Sequence, residues 1–320
     1  MGISFSEISS RSKAKISLAV KILFSALVIG FIIARVDFSR VWESLLSANT
    51  EFIAFAVVLM LASLVIQFVK WKVIARKIIG ETNNKTLLKS LLLGISSAMI
   101  TPLQTGVYVG RAAAFEKEKI PRVIFATIFD KITMLFITAF LGSLVSLLFL
   151  KEKYDVDSFV TVPLFFLIVI LTAIILVIFS SDKFDKAELI RVLSPKKFRK
   201  KFSAKIEFVN ALDAKLFFST LPLFILQEAL LLLQFAVLIY AFGGSAQFWD
   251  LVLAALLVFF SKSFFPPVTV GDLGVREAMA IFFFGLVGVP EQTAFNAAMF
   301  LFVINLLLPS LISLYYLKRD

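Results

Sequence analysis

Two arginines stand where a cation could meet a phosphate. Arg111 follows Pro102 and Gly106 in the spacing Pro-x3-Gly-x4-Arg, and Arg276 follows Pro267 and Gly271 in the same spacing. All three pairs are 165 residues apart. A guanidinium is permanently charged and grips a phosphate through two parallel N–H bonds, whereas an ammonium acts as a point charge. Behind a Pro/Gly break, each arginine is expected to face a cavity between half-helices. The competing reading is a side chain that snorkels to an interface at a helix end. It has more force for Arg111, beside a charged stretch, than for Arg276, which the apolar run 278–289 follows.

Acidic residues surround these positions. Glu277 adjoins Arg276 and Asp272 lies four residues before it, so either can hold the arginine in place or carry a coupling proton. Asp130-Lys131 is a charged pair inside an apolar run. Neighbours on a helix point about 100° apart, so these two need separate partners. Glu228 sits mid-run beside Gln227, with Gln234 beyond, and Lys262 precedes the second break. For each, a salt bridge that only fixes packing is the alternative, and it is preferred for Lys131 and Lys262. The absence of His and Cys removes thiolate nucleophiles, imidazole bases and the common zinc, haem and iron–sulfur ligand sets. No Walker loop, HExxH or GxSxG is present, so neither catalysis, a metal nor a cofactor is expected.

The elements that position these residues follow from composition. Of 320 residues 60% are apolar and 17% charged, against about 25% charged in soluble domains. Apolar runs long enough to cross a hydrocarbon core of about 30 Å recur along the chain. Full spans are expected at 16–35, 52–69, 123–150, 159–180, 216–243 and 292–317. Two interrupted segments, 87–110 and 249–276, complete eight hydrophobic segments in a single all-α membrane domain covering 1–320. The loop at 70–89 carries Lys70, Lys72, Arg76, Lys77, Lys85 and Lys89 against Glu81 alone. That bias puts it in the cytoplasm with the N-terminus. The segment 181–215, with ten Lys or Arg against five acids, reads equally as a basic surface helix on the cytoplasmic leaflet or as a solvated loop. The net charge of +11 is assigned to such loops and not to nucleic-acid binding.

The two interrupted segments lie within matching halves, 16–150 and 159–317, preceded by the spans 52–69 and 216–243 and followed by 123–150 and 292–317. Ile120-Pro121 corresponds to Val289-Pro290 after a slip of four residues. A re-entrant hairpin keeps the charges from Arg111 to Arg122 in the cytoplasm; a broken full span is the alternative. On this topology the first hairpin enters from the cytoplasm and the second from outside. Such an inverted repeat is the plan of many secondary transporters, whose sites form at broken helices.

The stretch Gly271-Asp272-Leu273-Gly274-Val275-Arg276-Glu277-Ala278, followed by Gly288-Val289-Pro290, resembles the second signature of the lysylphosphatidylglycerol synthase transmembrane region, a flippase-like family. The segment Pro102 to Arg111 with Asp130-Lys131 is similar to its first-half signature. The departures are Val107 where an acid often stands, Arg111 one position late, Asp130-Lys131 for a Glu-Arg pair, and Asn305 in place of an arginine in the last helix. The resemblance implies binding and translocation of an anionic lipid or lipid-linked intermediate, with Arg111 and Arg276 on the phosphate. Asp272, Glu277, Asp130, Lys131 and Glu228 would be supporting or proton-coupling groups, and Pro102, Gly106, Pro267, Gly271 and Gly274 the breaks. Its expected setting is a prokaryotic cytoplasmic (inner) membrane with both termini cytoplasmic. Membrane lipids are the expected partners, with a lipid-modifying transferase and a second copy of the chain as further candidates. A non-catalytic scaffold for a lipid-modifying or glycosyl transferase is the alternative. No fused catalytic domain is expected.

Overall fold

The computed structural model describes residues 43, 46, 48–101, 104–180, 213–264 and 274–317. The expected span 16–35, nearly all of the basic segment 181–215, the break residues Pro102, Pro267 and Gly271, and the supporting residue Asp272 lie outside them. Among the described residues the chain is helical and holds no strand. In chain order the helices are α1 (Thr50–Ile78), α2 (Asn84–Ile100), α3 (Gly106–Ala112), α4 (Ile120–Tyr154), α5 (Ser158–Ser180), α6 (Ala214–Ala241), α7 (Phe248–Phe264), α8 (Val275–Leu286), α9 (Glu291–Phe302) and α10 (Leu308–Leu317). A π-helical turn, Val303–Leu307, joins α9 to α10. Among the described residues four stretches are long and apolar enough to cross a membrane: Thr50–Ile78, Lys117–Tyr154, Ala214–Ala241 and Glu291–Ser313. The protein is therefore an integral, multi-pass membrane protein.

Local chemistry sets the helix ends. Asn49 caps α1 by accepting from the Glu51 and Phe52 N–H groups, and Asp213 caps α6 by accepting from Leu216 N–H. Pro121 stands in the first turn of α4, where its missing N–H costs nothing. At the other end Asp155 closes α4 at φ 50°, after Lys151 and Lys153 have met the negative end of the helix dipole.

The first interrupted segment folds into two helices packed against each other, and glycine makes the approach possible. A Cβ on Gly106 would collide with the Ser97 carbonyl, and one on Gly110 with the Leu93 carbonyl. The Thr101 hydroxyl donates to Ser97 O at 2.9 Å and accepts from Gly106 N–H at 2.7 Å, closing the turn. Gly106→Val is expected to destabilise the protein by about 1–3 kcal/mol through overpacking. Thermal melting in detergent will read this, and an unchanged midpoint would refute the close approach. Likewise α7 packs on α8.

α1 and α6 pack antiparallel along their length. Asn49 N–H donates to Ala241 O at 2.9 Å, Gln234 Nε2 to Ala56 O at 2.9 Å, and Lys77 Nζ pairs with Asp213 at 2.7 Å. Around this pair, α4 packs on α7 and α10 packs on α2. At one end of the bundle Lys77–Asp213, Lys119–Glu81 (3.0 Å) and Ser90 Oγ to Arg111 O (3.0 Å) join the end of α1 to the neighbouring ends of α2, α3, α4 and α6. At the other end Thr293 Oγ1 donates to Phe242 O and Lys153 Nζ to Leu286 O, each at 3.1 Å.

Each end has its own apolar cluster. One gathers Trp71, Ile74, Ala75, Leu87, Leu91, Val123 and Phe224 from α1, α2, α4 and α6. The other gathers Ala56, Leu59, Phe235, Leu251, Ala255, Phe284 and Ala297 from α1, α6, α7, α8 and α9. One expectation is corrected here. The loop expected from residue 70 does not begin there, because α1 continues to Ile78 and buries Lys70, Trp71, Ile74, Ala75 and Ile78 on one face. Of its last cations, Arg76 and Lys77 are the ones that stay exposed.

Candidate functional site: a buried arginine–aspartate–lysine cluster

Three elements bring charge together against α6. α1 supplies Lys70 and Trp71, the last turn of α3 supplies Arg111, and α4 supplies Asp130 three turns from its start. Lys70, Arg111 and Asp130 are 3%, 5% and 4% exposed. Arg111 Nη1 lies 2.9 Å from Asp130 Oδ2, and Lys70 Nζ lies 2.8 Å from Asp130 Oδ1. One carboxylate thus bridges two cations. Lys70 also donates to Gln227 Oε1 on α6 at 2.6 Å. Its ammonium stands 4.1 Å from the centre of the Phe224 ring, and the Arg111 guanidinium 4.3 Å from the Trp71 ring, within cation–π range.

The cluster carries two cations against one anion, and its donors are not all used. Arg111 Nε and Trp71 Nε1 are buried and have no hydrogen-bond partner among the described residues. Buried polar groups are nearly always paired, so such donors, in a site with one uncompensated positive charge, suit an anionic oxygen. The opposite helix approaches closely here: a Cβ on Gly94 would come 2.7 Å from Arg111 Cγ. The α2–α3 hairpin therefore fixes where the guanidinium can go.

One turn deeper on α6, Glu228 is 2% exposed. It accepts from the Thr138 hydroxyl of α4 at 3.0 Å and forms no ion pair among the described residues. Lys131 is exposed, on a different side of α4 from Asp130, as the helical spacing requires.

The second arginine is built differently. Gly274 adopts φ 98°, a left-handed conformation that glycine accepts without strain, and α8 starts directly after it. Glu277 Oε2 accepts from Gly274 N–H at 2.5 Å, while Oε1 accepts from Arg276 Nε at 3.2 Å and Nη2 at 2.8 Å. Both side chains are buried. The guanidinium of Arg276 stands 5.8 Å from the Phe302 ring on α9. Arg111 and Arg276 share no partner among the described contacts: the structure joins Arg111 to Asp130 and Arg276 to Glu277.

Lys70, Trp71 and Gln227 are site residues that sequence reasoning missed or underrated. The signal was present for the first two, since Trp71, Ile74, Ala75 and Ile78 keep the helical period past the end of the apolar run. Asn305, the main polar residue of the last span, lies in the π-helical turn. It donates to Gln234 Oε1 at 2.8 Å, and Gln234 in turn reaches α1, so three helices are tied through one amide chain. Among the described residues no group of His, Cys, Asp or Glu could hold a metal.

Fold and cluster define a polytopic helical membrane protein with cations paired inside its membrane-embedded core. The chain matches the family model of the lysylphosphatidylglycerol synthase TM region over residues 18–313 and belongs to that family. No curated protein and no solved structure matches it.

Proposed function

We propose that the protein is a flippase-like carrier that binds the phosphate of an anionic lipid, or of a lipid-linked intermediate, and moves it between leaflets. The observation that carries this reading is Arg111: buried, held by a carboxylate it shares with Lys70, and left with an Nε–H that has no partner among the described residues. Intramembrane ionisable groups are costly and mark function by default. Arg276 takes the corresponding role in the second half. In this reading the chain is a carrier, not an enzyme.

The architecture supports an inverted repeat. A shift of 165 residues carries Thr50–Ile78 onto 215–243, against Ala214–Ala241, and Asn84–Ile100 onto 249–265, against Phe248–Phe264. The equivalent helices α1 and α6 run antiparallel, as inverted halves must. The packing is reciprocal, with α4 of the first half on α7 of the second and α10 of the second on α2 of the first. The hairpins then enter from opposite faces, the first from the side where Arg76, Lys77, Lys85, Lys117 and Arg122 cluster, which the positive-inside rule makes cytoplasmic. A cavity of about 230 Å³ between α4, α7 and α8, lined by Phe149, Lys153, Asp250 and Phe283, opens on the other side and gives a headgroup access from the outer leaflet. A prokaryotic cytoplasmic membrane, with both termini inside, is the proposed setting.

Reconstitution in liposomes with fluorescent phosphatidylglycerol tests the reading. Arg111→Gln is expected to slow translocation at least about tenfold, the loss of a charge-assisted contact worth about 1.5–3 kcal/mol. Arg276→Gln is expected to slow it too. Equal rates for wild type and both variants would overturn the assignment. The family's name also ties it to lipid modification. A scaffold for a lipid-modifying transferase would retain such a partner in a pull-down while moving no lipid.

A further inference from the structure

We propose that Glu228 takes up a proton when an anionic headgroup enters the Lys70–Arg111–Asp130 cluster, so that lipid and proton bind together. The inference rests on the flippase reading for its ligand and adds what couples to the lipid. Three observations carry it. Glu228 is buried within the membrane-spanning part of α6, with one neutral hydroxyl, Thr138, as its hydrogen-bond donor and no ion pair among the described residues. An ionised carboxylate so placed lacks the cation or multiple donors that buried charges require. Glu228 is also close enough to the cluster to act electrostatically on Lys70, whose ammonium the neighbouring Gln227 holds.

Its charged surroundings are few. Lys70 on α1 and Lys262 on α7 act on it electrostatically. On α4 the nearby acid is Asp130, already bound by Lys70 and Arg111, while Lys131 is exposed. α5 contains no ionisable residue, and the one acid of α9, Glu291, is exposed at that helix's first turn. With Glu228 ionised, Lys70, Arg111, Asp130 and Glu228 sum to zero charge. With Glu228 protonated they sum to plus one, which is the state that receives a phosphate anion. Charges in a low-dielectric interior interact strongly. A phosphate arriving on Arg111 therefore raises the affinity of Glu228 for a proton, and a proton on Glu228 raises the affinity for the phosphate by the same factor.

The test uses the full chain in phosphatidylcholine nanodiscs and short-chain phosphatidylglycerol as the probe. Binding is titrated calorimetrically between about pH 5 and 8, in pairs of buffers with different ionisation enthalpies, so that protons taken up per lipid are counted. In the wild type, affinity is expected to rise as pH falls, by up to about tenfold per pH unit, with up to one proton per lipid. Glu228→Gln keeps an oxygen for the Thr138 hydroxyl and is expected to bind with no pH slope and no proton uptake. The same slope in Glu228→Gln, or a flat wild type whose binding still needs Arg111, would overturn the proton role alone. Undiminished binding by Arg111→Gln would overturn it together with the flippase assignment.

Discussion

Asp130→Asn is expected to destabilise the protein by about 3–5 kcal/mol, whereas Lys70→Met costs only about 1 kcal/mol. The asymmetry comes from counting buried charges. Asp130 is the single anion between two cations, 2.9 Å from Arg111 and 2.8 Å from Lys70. Its neutralisation leaves two like charges buried side by side with no counterion. Removing Lys70 instead leaves Arg111 and Asp130 as a matched pair. What is lost is the ammonium that donates to Gln227 Oε1 and pairs with Asp130 Oδ1, a pairing whose gain is largely offset by the cost of burying the second cation, while a methionine side chain keeps the volume and the contact with the Phe224 ring. Asp130→Asn combined with Lys70→Met still strands Arg111, so it recovers only part of the loss. Denaturant titration in detergent micelles, read by tryptophan fluorescence, gives all three values. Similar losses for the two single variants would mean that Asp130 is not the hub of the cluster.

What the sequence disclosed here, and what it concealed, follows from the range of each signal. Spans announce themselves by length and apolarity, so α1, α4, α6 and the α9–α10 stretch fall where the apolar runs predict. The α2–α3 hairpin was legible from Gly106 and the polar small residues before it, because close helix approach in a membrane needs small side chains. Asp130 was legible as a charge that must find a partner on another element, and the partners turned out to be Arg111 and Lys70. The burial of Arg111 was not legible, since the charged stretch beside it favoured the interface reading as much as the cavity reading; it is buried. Lys70 was concealed because an apolar window ends at the first lysine it meets, while the helix itself continues as long as its buried face does. Which carboxylate serves Arg276 was open in the sequence between Asp272 and Glu277; Glu277 serves it, and Asp272 lies outside the described residues. Nothing in one sequence reports that Glu228 meets Thr138, since that contact spans 90 residues and depends on how α4 crosses α6.

The same counting predicts a different outcome in the second half. Glu277→Ala is expected to cost about 3–5 kcal/mol, because it strands a buried guanidinium and also removes the acceptor for Gly274 N–H. Arg276→Met alone should cost less, since Glu277 keeps its hydrogen bond to Gly274, and the double variant should recover most of the loss from Glu277→Ala. The reach of the damage is what separates the two halves. Asp130 ties α1, α3 and α4 together, and Lys70 extends the tie to α6. Glu277 and Arg276 both belong to the first turn of α8, so their pairing fastens that helix start; among the described residues its reach beyond α8 is the Phe302 ring of α9, 5.8 Å from the guanidinium. Hydrogen exchange should therefore accelerate across α1, α3, α4 and α6 in Asp130→Asn but chiefly over 274–286 in Glu277→Ala. In the carrier reading proposed above, an arginine paired within its own helix travels with that helix, whereas Arg111 is tied by Asp130 to α4 and through it to Lys70 of α1. If Glu277→Ala loosened the whole bundle as Asp130→Asn does, that distinction between a fixed and a mobile arginine would fail.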